Sequence, residues 1–67
     1  MLTRIDKIFK EYAIEKYGDI FLDIQIEEAR IYAFNKVSEL TIKTGQKQPE
    51  GTTKNLFLEY LGGINYV

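Results

Sequence analysis

The sequence predicts an all-α fold, a small domain of three helices with a long central one, and three observations lead there. Apolar residues recur at i, i+3, i+4 and i+7 over most of the chain, the spacing that collects them on one helical face. Capping and stop residues stand where those stretches begin and end. The single proline, Pro49, falls in a polar stretch and not inside a periodic one.

The first helix is expected over residues 3–17. Ile5, Ile8, Phe9, Tyr12, Ala13 and Tyr17 share a face, Thr3 can cap with Asp6 three residues on, and Gly18 stands where a left-handed stop residue belongs. Asp6 and Lys10 form an acid-first i, i+4 pair, which adds about 0.3 kcal/mol.

The second helix is expected over 19–44. Its beginning is ambiguous, because Ile20, Leu22, Ile24 and Ile26 alternate with Asp23, Gln25 and Glu27 in strand fashion. From Ile26 onward the spacing is helical, and Lys43 followed by Gly45 marks a stop. At about 100° per residue the apolar side chains fall into two stripes. One contains Leu22, Ile26, Ala29, Ala33, Val37 and Leu40. The other lies on nearly the opposite side and contains Ile20, Ile24, Ile31 and Ile42, with Phe34 at its margin. A helix that is apolar on two sides must bury both, and two short helices cannot cover both. The second stripe therefore asks for a partner.

A polar loop, Gly45 to Gly51, precedes a short third helix over 53–61, capped by Thr52 or Thr53, whose Leu56, Phe57, Tyr60 and Leu61 form an apolar face. Gly62 and Gly63 would end it and release an apolar tail, 64–67. The alternative architecture is α+β, with residues 20–26 extended, or with 55–61 and 64–67 paired as a hairpin around the glycine pair. No internal repeat or low-complexity segment divides the chain, so residues 1–67 read as one domain.

Composition narrows the functional classes. A chain of 67 residues removes only about 60% of its unfolded surface from water on folding. A core of this size rarely supplies more than about 3–5 kcal/mol without a disulfide, a metal or a second subunit. With no Cys and no His, thiolate and imidazole metal sites and disulfides are excluded, and association with another chain is the support that remains. Hydrophobic residues at 45% and charged ones at 28% describe a chain that folds. A formal net charge of −1 supplies no field that would recruit nucleic acid or an anionic membrane from a distance. No apolar run is long enough to span a bilayer, no export signal is visible, and the lack of cysteine favours a reducing, cytoplasmic setting.

Nothing suggests catalysis. The nucleophile-and-base pairs of common hydrolases need Ser or Cys beside His, the lone serine, Ser38, lies within a helix, and no phosphate-binding or dinucleotide glycine pattern is present. No cofactor, metal or small-molecule substrate is expected. Asp19, Asp23, Glu27 and Glu28 could gather at one end of helix two, but acids near a helix N-terminus complement its macrodipole and need no ligand to explain them. The segment 43–55 carries Lys43, Lys47, Thr52, Thr53 and Lys54 against one acid, Glu50, and leads into a helix N-terminus. It is therefore the candidate nucleic-acid contact, although it contains no arginine. Tyr32 and Phe21 lie off the main stripes, where they could anchor an interface or cover the ends of neighbouring helices.

The functional expectation is a small non-enzymatic regulatory protein of bacterial or phage type. It would act as a homodimer through Ile20, Ile24, Ile31, Phe34 and Ile42, and bind and modulate another macromolecule, preferentially a protein. The alternative is a dimeric DNA-binding regulator that uses the lysine-bearing segment 43–55.

Overall fold

The computed structural model describes residues 3–49 and 51–65, and these form three α-helices: α1 (Arg4–Tyr17), α2 (Asp23–Thr44) and α3 (Thr52–Asn65). Among the described residues there is no strand, so both the extended reading of 20–26 and the hairpin reading of 55–67 give way to the all-α fold. Tyr66 and Val67, the end of the expected tail, lie outside the described residues.

The start of α1 follows from its cap. Thr3 is extended, its hydroxyl oxygen accepts from the Asp6 backbone N–H at 3.2 Å, and the Asp6 carboxylate accepts from the Thr3 N–H at 3.3 Å, which closes a reciprocal capping box. At the other end Gly18 takes φ 90° and its N–H donates to Ile14 O at 2.9 Å.

Helix α2 begins four residues later than the sequence suggests. Residues 19–22 form an irregular link in which Phe21 packs its ring edge-on against Tyr17, with centroids 5.9 Å apart, while Ile20 and Leu22 point outward. Burying one aromatic ring on α1 and then starting a helix requires this reversal of direction. The start is fixed by the Gln25 side chain, whose Oε1 accepts from the Leu22 N–H at 2.8 Å. Leu22 has no polar side chain, so only this half of a capping box forms. Gly45 ends α2 in the left-handed region, φ 70°, with its N–H on Thr41 O.

Helix α3 starts at Thr52, so both threonines lie inside it, and it continues through the glycine pair to Asn65. Neither Gly62 nor Gly63 has a positive φ. Helix-interior glycine costs about 1 kcal/mol, and burial offsets it here. Ile64 packs on the core beside the fully buried Leu61, which it does only if the helical register carries past Gly62. The two glycines then differ in kind. A Cβ at Gly62 would sit 2.8 Å from the Tyr17 Oη, the hydroxyl that donates to Leu58 O at 3.0 Å, whereas a Cβ at Gly63 meets nothing. Gly63→Ala is expected to raise stability by about 0.5–1 kcal/mol, whereas at Gly62 the same gain is offset by displacement of the Tyr17 hydroxyl and loss of its hydrogen bond, worth about 0.5–1.5 kcal/mol. Thermal melts of the two variants check this, and a Gly62→Ala melt above that of Gly63→Ala would contradict the close approach.

The core comprises Phe9 and Ala13 of α1, Ile26, Ala29 and Ala33 of α2, and Phe57, Leu58 and Leu61 of α3. Ala29 and Ala33 let the helices approach closely, and the rings of Phe9 and Phe57 meet with centroids 4.9 Å apart. Helices α1 and α2 run antiparallel, since the earlier α1 residue Asp6 bonds to the later Arg30 and the later Lys10 to the earlier Asp23. Ile5 and Ile8, expected on the buried face of α1, lie at its rim and are exposed, because the face actually buried centres on Asp6, Phe9 and Ala13. The accessible surface is 5013 Å², against about 4,400 Å² for a folded monomer of this mass. The radius of gyration of 12.1 Å likewise exceeds the ~11 Å expected for this length. The three helices spread over one another without closing a sphere.

Candidate interaction surface

Helix α2 has 22 residues, a rod of about 33 Å, and its two sides have different fates. On the inner side Ile26, Ala29 and Ala33 are buried and Val37 and Leu40 half-buried, as the first stripe requires. Leu22 falls outside the helix and is exposed. On the outer side the residues expected to need a partner are exposed: Ile24 at 56%, Ile31 at 42%, Phe34 at 38% and Ile42 at 81%. Ile20 is also exposed, at 57%, but it belongs to the link before α2 and not to the helical stripe.

The geometry explains the exposure. Arg30, Phe34 and Asp23 reach α1, and Tyr32 reaches α3, where its ring lies 4.9 Å from that of Tyr60. The two neighbours therefore flank α2 and cover its inner half. Ile24, Ile31 and Ile42 project within about 20° of one another on the outer half. Phe34 joins this stripe to the core, its ring edge-on to Phe9 at 5.7 Å and beneath the Arg30 guanidinium at 5.5 Å. Tyr32 and Phe21 both pack on neighbouring helices. Exposed Ile14, Ile20, Leu22 and Ile24 extend the apolar character around the α1–α2 link.

A residue that sequence reasoning used only as a cap organises the α1–α2 seam. The Asp6 carboxylate is 1% exposed and bonds both the Thr3 hydroxyl, at 2.8 Å, and the Arg30 guanidinium of α2. Burial pushes this carboxyl up, but the Thr3 hydroxyl, Arg30 and the Thr3 N–H together hold it below the ordinary value of 3.8. The pairing was invisible in the sequence, where 24 residues separate the partners. An Arg on the flank of an otherwise acidic helix end was the only sign of it.

The lysine-bearing segment is not drawn together into one cradle. Lys43 and Lys47 are exposed, whereas the Lys54 ammonium lies 4.5 Å from the centre of the Tyr12 ring and is occupied by that cation–π contact. Thr52 and Thr53 are half-buried, with the Thr52 N–H donating to Pro49 O. The polar side chains of the loop bond locally, Thr44 with Gln46 and Gln48. The acidic group disperses as well, since Asp19 lies on the link and Asp23 pairs with Lys10 at 3.2 Å.

Among the described residues no cavity opens, no three His, Cys, Asp or Glu side chains converge, and no buried side-chain polar atom lacks a partner. No described helix is long and apolar enough to cross a membrane. No protein-family model, curated protein or solved structure matches the chain.

Proposed function

We propose that the chain is a small non-catalytic interaction protein that self-associates through the outer face of α2 and, as a homodimer, binds and modulates another macromolecule, with a protein as the favoured partner. The observation that carries this reading is the exposure of Ile24, Ile31 and Ile42 in line along α2, beside a core of eight buried apolar residues among those described. Covering a stripe of this kind removes apolar surface from water at about 25 cal/mol per Å². In a chain with so little interior, that gain is large relative to its own stability. The lack of cysteine suits a reducing, cytoplasmic setting.

Sedimentation over a concentration series tests the reading. The wild type is expected to show a concentration-dependent dimer, and Ile31→Glu, which places a charge at the middle of the stripe, is expected to weaken it by at least tenfold while keeping the helical circular dichroism. A wild type that stays monomeric at several hundred micromolar would remove the proposal. A DNA complex that forms at low salt and is weakened by Lys47→Glu would favour a DNA-binding regulator instead.

A further inference from the structure

We infer that self-association through the outer face of α2 is opposed by the charge of that face, so that dissolved salt strengthens it; this rests on the self-association proposed above and adds its regulation. At about 100° per residue, the charged residues within about 70° of the Ile24–Ile31–Ile42 line are Glu27, Glu28 and Glu39, all of them acids. Glu27 stands on the flank toward α1, Glu28 and Glu39 on the flank toward α3. The cations Lys36 and Lys43 lie more than about 100° round the helix from the line. Among the described residues no ion pair reaches Glu27 or Glu28, and Glu39, 69% exposed, is 4.0 Å from Lys36. The bordering helices do not restore the balance. On the α1 side Lys10 is engaged by Asp23 and Arg30 by Asp6, which leaves the exposed Lys7. On the α3 side the border is the uncharged ring pair of Tyr32 and Tyr60. Even with Lys7 counted, acids are in excess in each copy.

The direction of pairing does not change this result. A second copy presents the same acids on its own flanks. Whether the two α2 helices run parallel or antiparallel, each seam beside the isoleucines therefore gathers glutamates from both chains and no cation of α2. Packed helices lie about 8–10 Å apart, so carboxylates that border the seam meet across distances of that order. At ~0.01 M salt the Debye length is about 30 Å and the repulsion acts in full, whereas at ~1 M it is about 3 Å and the repulsion is screened. Contact between the isoleucines supplies the attraction, and the glutamates subtract from it. The formal net charge of −1 makes the effect local, because chains so nearly neutral repel little as whole molecules. A helix pair matched by opposite charges beside its apolar seam loosens as salt rises; this pair tightens.

Sedimentation equilibrium at two salt concentrations reads the sign. The dissociation constant of the wild-type dimer is expected to fall at least fivefold between ~20 and ~500 mM NaCl. The triple variant Glu27→Gln, Glu28→Gln, Glu39→Gln keeps the size of the three side chains and removes their charge. It should associate at ~20 mM about as tightly as the wild type does at ~500 mM, and change less than twofold with salt. A control variant, Glu11→Gln, Glu15→Gln, Glu59→Gln, removes three acids from exposed positions on α1 and α3 and should keep the wild-type salt response. Circular dichroism verifies the fold of each. A wild-type dimer that loosens with salt, an outer-face variant no tighter than the wild type at low salt, or an equal gain in the control variant would overturn this inference and leave self-association standing. Monomers at several hundred micromolar at both salt concentrations, in the wild type and the outer-face variant alike, would remove self-association and this inference with it.

Discussion

Replacing Phe57 with alanine is expected to cost about 3–5 kcal/mol, which is as much as a core of this size supplies in total. Phe57 is fully buried and belongs to α3, and its ring meets that of Phe9 on α1 while its neighbours Leu58 and Leu61 close on the same cluster. It is the largest side chain among the fully buried ones, so truncation leaves a cavity between the helices that small alanines on α2 cannot fill. Far-UV circular dichroism of Phe57→Ala should resemble that of the urea-unfolded wild type. Phe57→Leu, which keeps most of the volume, should retain a cooperative melt. A loss below about 1 kcal/mol in Phe57→Ala would show that the three helices do not close on this ring.

Asp6→Ala is the second large effect. It removes the carboxylate that completes the cap of α1 and, at the same time, leaves the Arg30 guanidinium against α1 without its acid. Breaking a fully buried pair costs about 3–5 kcal/mol, and because the Arg30 side chain keeps some access to water (19% exposed) a loss of about 2–3 kcal/mol is expected. The same group makes the fold sensitive to acid. Its carboxyl titrates lower in the folded chain than in the unfolded one, so its contribution is fully present above the unfolded value near 3.8 and is lost as the pH falls through the lower folded value. Melting temperature should therefore be flat with respect to this group at neutral pH and drop below about pH 4. Asp6→Asn, which keeps an acceptor but no charge, should start lower and lose that part of the acid dependence. An acid limb of undiminished steepness in Asp6→Asn would place the effect on other carboxylates.

The parts of this fold that were legible in the sequence are those decided locally. Thr3 with Asp6 opened α1, Gly18 and Gly45 closed α1 and α2 through their own backbone freedom, and the Ile26–Ala29–Ala33 spacing marked the buried side of α2. What was misread depended on distant partners. The alternation at Ile20 and Leu22 fell on an irregular link, in which Phe21 turns onto Tyr17 and Leu22 and Ile20 are left outside, and the helix took over only at Asp23. The glycine pair looked like a stop because glycine is a poor helix former, but burial of Leu61 and Ile64 outweighed that preference. Ile5 and Ile8 had helical spacing and still ended at the rim, since the choice of buried face on α1 was made by the Asp6–Arg30 pair and the Phe9–Phe57 contact. The outer stripe of α2 was legible as apolar, because periodicity alone places Ile24, Ile31 and Ile42 together. Lys54, by contrast, looked available until Tyr12, 42 positions earlier in the chain and brought near only by the fold, engaged it.

The short connections between the helices also set a tempo. Links as brief as those between Tyr17 and Asp23, and between Thr44 and Thr52, keep contacting residues close in sequence, and helical proteins of that topology fold in roughly microseconds to milliseconds. Combined with a folding free energy of only a few kcal/mol, such speed implies on the order of ten complete openings per second. Amide exchange should then be limited by the population of opened chains and not by the rate of opening. The lifetime of the polypeptide among proteases would depend on how much of the time another molecule holds it shut.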